Sequence, residues 1–128
     1  MTQKDKELIY KELCARLPYH VKCKIWLKDG TTEEGLLDLE HNYGNVLQDS
    51  FYYNKIKDIK PYLFPLSSMT EEEKEEYCQL QQRVIYNSKG VINEDVTKYI
   101  NWCYKKHLDI NNLIPMELAI DATNLNIY

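Results

Sequence analysis

The sequence predicts an α+β domain: an antiparallel β-meander, open or curled into a small barrel, with one helix ahead of it and two helices behind it. Three observations carry this expectation. Residues 20–28 alternate apolar and polar side chains and run into Asp29-Gly30, a strong hairpin-turn signal because Gly tolerates positive φ. Residues 2–17, 71–86 and 93–107 instead carry apolar side chains at helical spacing, each behind a residue able to cap a helix. The strand-like segments are grouped and two helical ones come after them, which favours segregated layers over an alternating parallel sheet.

Taken in order, Thr2 caps the first helix, Leu8, Ile9, Leu13 and Leu17 share one side of it, and Pro18 stops it. From His20 to Lys28, Val21, Cys23, Ile25 and Leu27 fall on one face and His20, Lys22, Lys24, Trp26 and Lys28 on the other, the pattern of a half-buried strand. The return strand covers 31–39, where Gly35 predicts a bulge or tight bend. Asn42-Tyr43-Gly44-Asn45 is a second turn signal before a third strand over 46–53 and a short one near 56–59. Pro61 and Pro65 bracket Tyr62-Leu63-Phe64, an extended apolar segment expected to cross the core surface. Thr70 and Glu73 form a capping box for the second helix, whose inward stripe is Tyr77, Leu80 and Val84 with Ile85 at its margin, and Asn87 to Gly90 ends it. Asn93 caps the third, which sets Val96, Tyr99, Ile100, Cys103 and Tyr104 on one side. Lys105, Lys106 and His107 suit its negative end. Leu113 to Ile120 is apolar enough to be tied into the core.

The length of 128 residues fits one domain over 1–128, and 44% apolar with 28% charged residues is a globular composition. A net charge of −4 argues against coating nucleic acid through global positive charge, and leaves a local basic face open. No apolar run approaches the roughly 18 residues that span a bilayer, and residues 1–7 lack a signal-peptide core, so a cytoplasmic protein without a membrane partner is expected. Cys14, Cys23, Cys78 and Cys103 form no Cys-x-x-Cys pair and have no His at ligand spacing. They are expected to be reduced and metal-free, with Cys23 and Cys103 on apolar stripes. Tyr numbers eleven against two Trp and two Phe, so many rings should have a wet or hydrogen-bonded edge, a composition suited to recognition.

No phosphate-binding loop, nucleophile elbow or His-Glu-x-x-His motif is present, and the four glycines are scattered. No catalytic residues and no cofactor are therefore expected. His20, His41 and Cys23 could meet across the first hairpin, but sheet-edge positions for the two histidines, with His107 at a helix end, is the preferred reading. Glu71, Glu72, Glu73, Glu75 and Glu76 read as a solvated helix start. The sharpest surface feature is Lys22, Lys24, Trp26 and Lys28, where lysines could meet phosphates while the indole stacks a base. The competing reading, and the expected one, packs Trp26 beneath a neighbouring helix while the lysines snorkel to water. Lys55, Lys57 and Lys60 make a second basic edge, which equally guards against strand-to-strand aggregation.

The stretch Lys60-Pro61-Tyr62-Leu63-Phe64-Pro65-Leu66-Ser67-Ser68-Met69-Thr70-Glu71-Glu72-Glu73 and the ending Leu113-Ile114-Pro115-Met116-Glu117-Leu118-Ala119-Ile120-Asp121-Ala122 carry a likeness. They resemble the short uncharacterised proteins encoded by prophages and other mobile elements of gut anaerobic bacteria. The resemblance covers about the second half of the chain and includes a Trp-containing helix ending in a Lys-x-His-type segment, here Trp102 to Leu108. After that His the group carries an aromatic-Asp-aromatic-Arg-Gly run, where this chain has Leu108-Asp109-Ile110-Asn111-Asn112. The resemblance implies a mobile-element context and a cytoplasmic location, with no catalytic residues to carry over. The resulting expectation is a non-enzymatic accessory or regulatory protein that binds a protein partner. The alternatives are a nucleic-acid-binding β-domain using Lys22, Lys24, Trp26 and Lys28, and a phage anti-defence protein that binds or degrades a small molecule.

Overall fold

The computed structural model describes residues 2–37, 56–86 and 93–128. The expected turn at 42–45, the strand over 46–53 and the helix stop at 87–90 lie outside the described residues, as do His41 and Lys55.

Helix α1 spans Gln3–Arg16 and starts with a reciprocal capping box, the Asp5 N–H donating to the Thr2 hydroxyl at 3.1 Å and the Thr2 N–H to the Asp5 carboxylate at 3.2 Å. Pro18 does not stop the chain abruptly; it sits in a 3-10 turn, Leu17–Tyr19, which His20 closes in the left-handed region at φ 57°. His20 is thus a turn residue and the strand begins after it.

Strand β1 (Val21–Leu27) and strand β2 (Thr32–Leu37) form the expected hairpin. Gly30 takes φ +90°, and the Asp29 carboxylate accepts the Thr31 N–H at 2.9 Å and its hydroxyl at 2.6 Å, so the turn residues supply the conformation and the partners the turn needs. Strand β3 (Ile56–Leu63) pairs antiparallel with the other edge of β1, and strand β4 (Ile120–Asp121) pairs parallel with β3, giving the order β2-β1-β3-β4.

The α+β class, with one helix before the sheet and two after β3, is therefore found, but the meander and the curled barrel are not. β1 lies between its successors, and the described sheet is open and mixed. The two helices between β3 and β4 supply the length a parallel return requires, which no hairpin could. Gly35 makes no bulge: it faces Cys23 in an unbroken register, and the irregularity falls between Trp26 and Leu27 where β1 meets β3. Pro61 belongs to β3, opposite Cys23.

The core lies between α1 and one face of the sheet. Ile9 and Leu13 from α1 meet Val21, Cys23 and Ile25 from β1 and Ile59 and Leu63 from β3, and Leu113, Leu118 and Ala119 close the cluster as the apolar tail predicts. Each fully buried aliphatic side chain contributes about 1.5–3 kcal/mol relative to exposure.

Helices α2 (Glu71–Tyr86) and α3 (Asn93–Lys105) form a hairpin. The Thr70–Glu73 capping box forms as expected, at 3.0 and 3.1 Å. Across the hairpin the Tyr77 and Tyr99 hydroxyls are 3.0 Å apart and Trp102 Nε1–H donates to Glu76 at 3.0 Å. Ile85 is 65% exposed and so lies off the inward stripe. At the end of α3 the His107 N–H donates to the Tyr104 carbonyl and the Leu108 N–H to the Cys103 carbonyl, both at 3.0 Å, with His107 at φ 57°. This is a Schellman closure with His where Gly is usual.

A buried ion pair joins the two ends of the chain. Arg16 Nε–H donates to Glu12 at 2.8 Å, Arg16 Nη2–H donates to the Leu108 carbonyl at 2.6 Å, and Asn111 donates to the second Glu12 oxygen at 2.7 Å. The guanidinium also lies over the Tyr104 ring, 4.7 Å from its centroid.

Two measurements check this architecture. Burial pushes the Cys23 thiol up to about 12 and the Cys103 thiol to about 11, so neither supplies thiolate near neutrality. An alkylating reagent should modify exposed Cys14 and Cys78 in the native protein and reach Cys23 and Cys103 only after denaturation, as read by mass spectrometry. Native labelling of Cys23 would contradict the packing.

Burial, reinforced by Arg16 and His20, holds the His107 imidazole down at about 4, against an ordinary value of 6.5. The folded ring stays neutral while the unfolded chain gains a proton below about 6.5, so this residue makes stability fall as pH drops through that value toward 4. His107→Asn, which tolerates positive φ, should flatten the stability profile between pH 7 and 5 in denaturant melts.

Candidate binding face

The alternation in β1 divides its side chains between two faces. Val21, Cys23 and Ile25 point into the core, so Lys22, Lys24 and Trp26 point to the opposite face of the sheet. Register then decides their neighbours. Lys24 lies between Glu34 on β2 and Lys60 on β3, while Trp26 lies between Thr32 and Asp58.

Lys24 Nζ and Lys60 Nζ both sit over the Trp26 ring, 5.4 and 5.6 Å from its centroid. The indole is half-buried. It lines an open groove of about 610 Å³ with Lys24, Lys60, Tyr62, Ile114 and Leu125, and no side chain of α1, α2 or α3 is among the lining residues. The expected position of Trp26 beneath a helix is therefore corrected: the lysine stems and the C-terminal segment cover part of the ring instead. Glu117 and Ile120 stand on the wall that this segment forms.

The predicted cluster is only partly assembled. Lys24 and Trp26 are together as expected. Lys22 is committed elsewhere: its ammonium donates to the Ile127 carbonyl and lies 6.0 Å from the centroid of the Tyr128 ring. Lys28 comes just after the strand, in the exposed hairpin turn, and does not line the groove. Sequence reasoning misses Lys60 and Tyr62 as partners, although Asp58, Lys60 and Tyr62 share one face of β3 by simple alternation; what the pattern lacks is the β1–β3 register. Ile114, Glu117 and Leu125 have no local signal at all, because they reach the groove through tertiary folding.

Tyrosine hydroxyls are spent largely inside the fold. Tyr62 donates to Glu34 at 2.7 Å, and burial together with this bond raises its hydroxyl to about 12. The Tyr128 hydroxyl accepts the Lys22 N–H and donates to the Tyr62 carbonyl, both at 2.8 Å. It thereby bridges the β1–β3 ladder beyond the Cys23–Pro61 pair, where the strands no longer bond directly. Among the described residues, no group of three or more His, Cys, Asp or Glu side chains is placed to hold a metal ion, and no helix is long and apolar enough to cross a membrane. No family model, curated protein or solved structure matches this chain.

Tyr128→Phe removes the bridging hydroxyl and nothing else. It should destabilise the domain by about 1–3 kcal/mol in denaturant melts and speed amide exchange at Lys22. An unchanged Lys22 exchange rate would show that the bridge does not hold the ladder.

Proposed function

We propose that this chain is a non-enzymatic binding domain whose docking surface is the groove around Trp26, and that its partner is an acidic, apolar segment of another protein. The observation that carries this reading is the pair of ammonium groups held over one half-exposed indole in an otherwise largely apolar groove. Trp is the residue type most suited to anchoring an interface, because it buries a large rigid area at low conformational cost. Lys24 and Lys60 are positioned beside it to receive carboxylates, while Ile114, Ile120 and Leu125 offer aliphatic surface for the apolar side chains between them.

The same lysines weigh against a nucleobase. With both ammoniums over the ring, a base could stack only by displacing one of them, and Glu117 in the groove repels a continuous phosphate backbone. The net charge of −4 acts in the same direction. An isolated carboxylate between hydrophobic side chains meets neither obstacle.

The test is fluorescence anisotropy with labelled peptides that alternate Glu or Asp with Leu or Phe, against labelled single-stranded DNA and RNA of similar length. Peptide binding should weaken at least tenfold, about 1.4 kcal/mol, on Trp26→Ala and fall further on Lys24→Glu with Lys60→Glu. Because the ring is half-exposed, Trp26→Ala should remain folded. Binding of the oligonucleotides alone would replace this reading with single-strand recognition, and peptide binding indifferent to all three residues would end it.

A further inference from the structure

His107 is kept at a cost that its place at a helix end does not explain. Its backbone is left-handed at φ 57°, a conformation that Gly or Asn adopts more easily. Its ring lies flat on Tyr128, with centroids 3.7 Å apart and planes 12° apart, and Nδ1 is enclosed without a hydrogen-bond partner. Thr123 Oγ1 is likewise enclosed and unpaired. Buried polar atoms are nearly always satisfied, so two orphans on one cavity require a reason.

That cavity, of about 430 Å³, is enclosed by the residues after β3, the start of α2, the end of α3 and the C-terminal segment. Phe64, Leu108 and Tyr128 supply its apolar wall, and Lys105 and Lys106 stand on it with the single carboxylate of Glu73. Lys106 is weakly held, 4.0 Å from Glu73 and 6.0 Å from the centroid of the Trp102 ring. The volume is in the range that small ligands occupy. None of the lining residues is shared with the groove around Trp26, so the cavity is independent of that surface.

We propose that this cavity binds a small anion with a flat, hydrogen-bonding body, which pairs with His107 Nδ1 and Thr123 Oγ1 while Lys105 and Lys106 hold its anionic group. Charge dictates the division of labour. The buried imidazole stays neutral near pH 7 and offers a donor or an acceptor, not a charge, so the body belongs on the His–Thr side. The two ammoniums are the groups that can compensate an anion. A phosphate or a carboxylate would meet the same lysines, and one probe of each kind distinguishes them.

Adenosine 5′-monophosphate and orotate are suitable probes, with adenosine, uracil and inorganic phosphate as the isolated halves. One of the two anions should raise the melting temperature saturably, and the halves should bind at least tenfold more weakly. Lys105→Ala with Lys106→Ala changes only cavity-rim side chains and should weaken the bound anion tenfold or more. Thr123→Val should raise the melting temperature of the ligand-free protein, because it removes an unpaired hydroxyl, and should weaken binding to a similar degree. No shift with either anion at about 10 mM would overturn the proposal. So would unaltered binding by the lysine or Thr123 variants, or a lowered melting temperature of ligand-free Thr123→Val, which would mean that the hydroxyl already has a partner.

Discussion

Arg16 carries a full charge on a side chain with no exposed surface, so the groups that satisfy it must be brought to it by the rest of the chain. Glu12 is one turn away on α1. The Leu108 carbonyl and Asn111 arrive from beyond α3, and Tyr104 from α3 itself, so the pair fastens the first helix to the turn after the last. Removing one member of such a pair strands the other and typically costs about 3–5 kcal/mol. Much else is hung from this point. Leu108 bridges to Phe64 and so continues β3, and the Asp109 carboxylate accepts the N–H groups of Leu113 and Ile114 at 2.8 and 2.9 Å. That turn aims the apolar tail at the core and the sheet. The far wall of the Trp26 groove, through Ile114 and Glu117, is thus set by an ion pair on the other side of the core.

The tyrosine excess has a related meaning. Read as composition, it suits a recognition surface; read in the fold, Tyr62, Tyr77, Tyr99 and Tyr128 turn their hydroxyls toward internal partners. In a small domain with few layers, a ring that buries its body and still satisfies a polar group serves as core and as crosslink at once. The surface around Trp26 is correspondingly narrow, one indole and two ammoniums, and its chemistry comes from where β3 lies and not from an abundance of aromatic groups.

Much of the fold is legible in the sequence because local chemistry decides it. The Thr70–Glu73 box, the Asp29-Gly30 turn and the alternation from Val21 to Leu27 each specify a structure within a few residues. Strand order is not local. Nothing between residues 20 and 63 distinguishes a meander from an arrangement with β1 in the middle, and the two-residue β4 is too short to leave a periodic pattern. Arg16 and Glu12 are unreadable as core residues for a different reason: polar side chains one turn apart look like a solvated face until their partners, more than ninety residues away, are known. For the candidate site, Lys24 and Trp26 come from alternation alone, whereas Lys60 requires the register.

Pro61 is usually read as a break, yet it sits inside β3. The Leu63 carbonyl accepts from Ala122 on the edge away from β1, so Pro61, two residues earlier, turns its nitrogen to that same edge, where it has no hydrogen to offer. Among the described residues β4 pairs only with Tyr62 and Leu63, which leaves Ile56 to Lys60 without a strand on that side. Such an edge invites a stray chain to add itself, and a proline with Lys57, Asp58 and Lys60 ahead of it makes a poor template. The residue whose chemistry is least suited to a sheet is what lets this one end in solvent without polymerising.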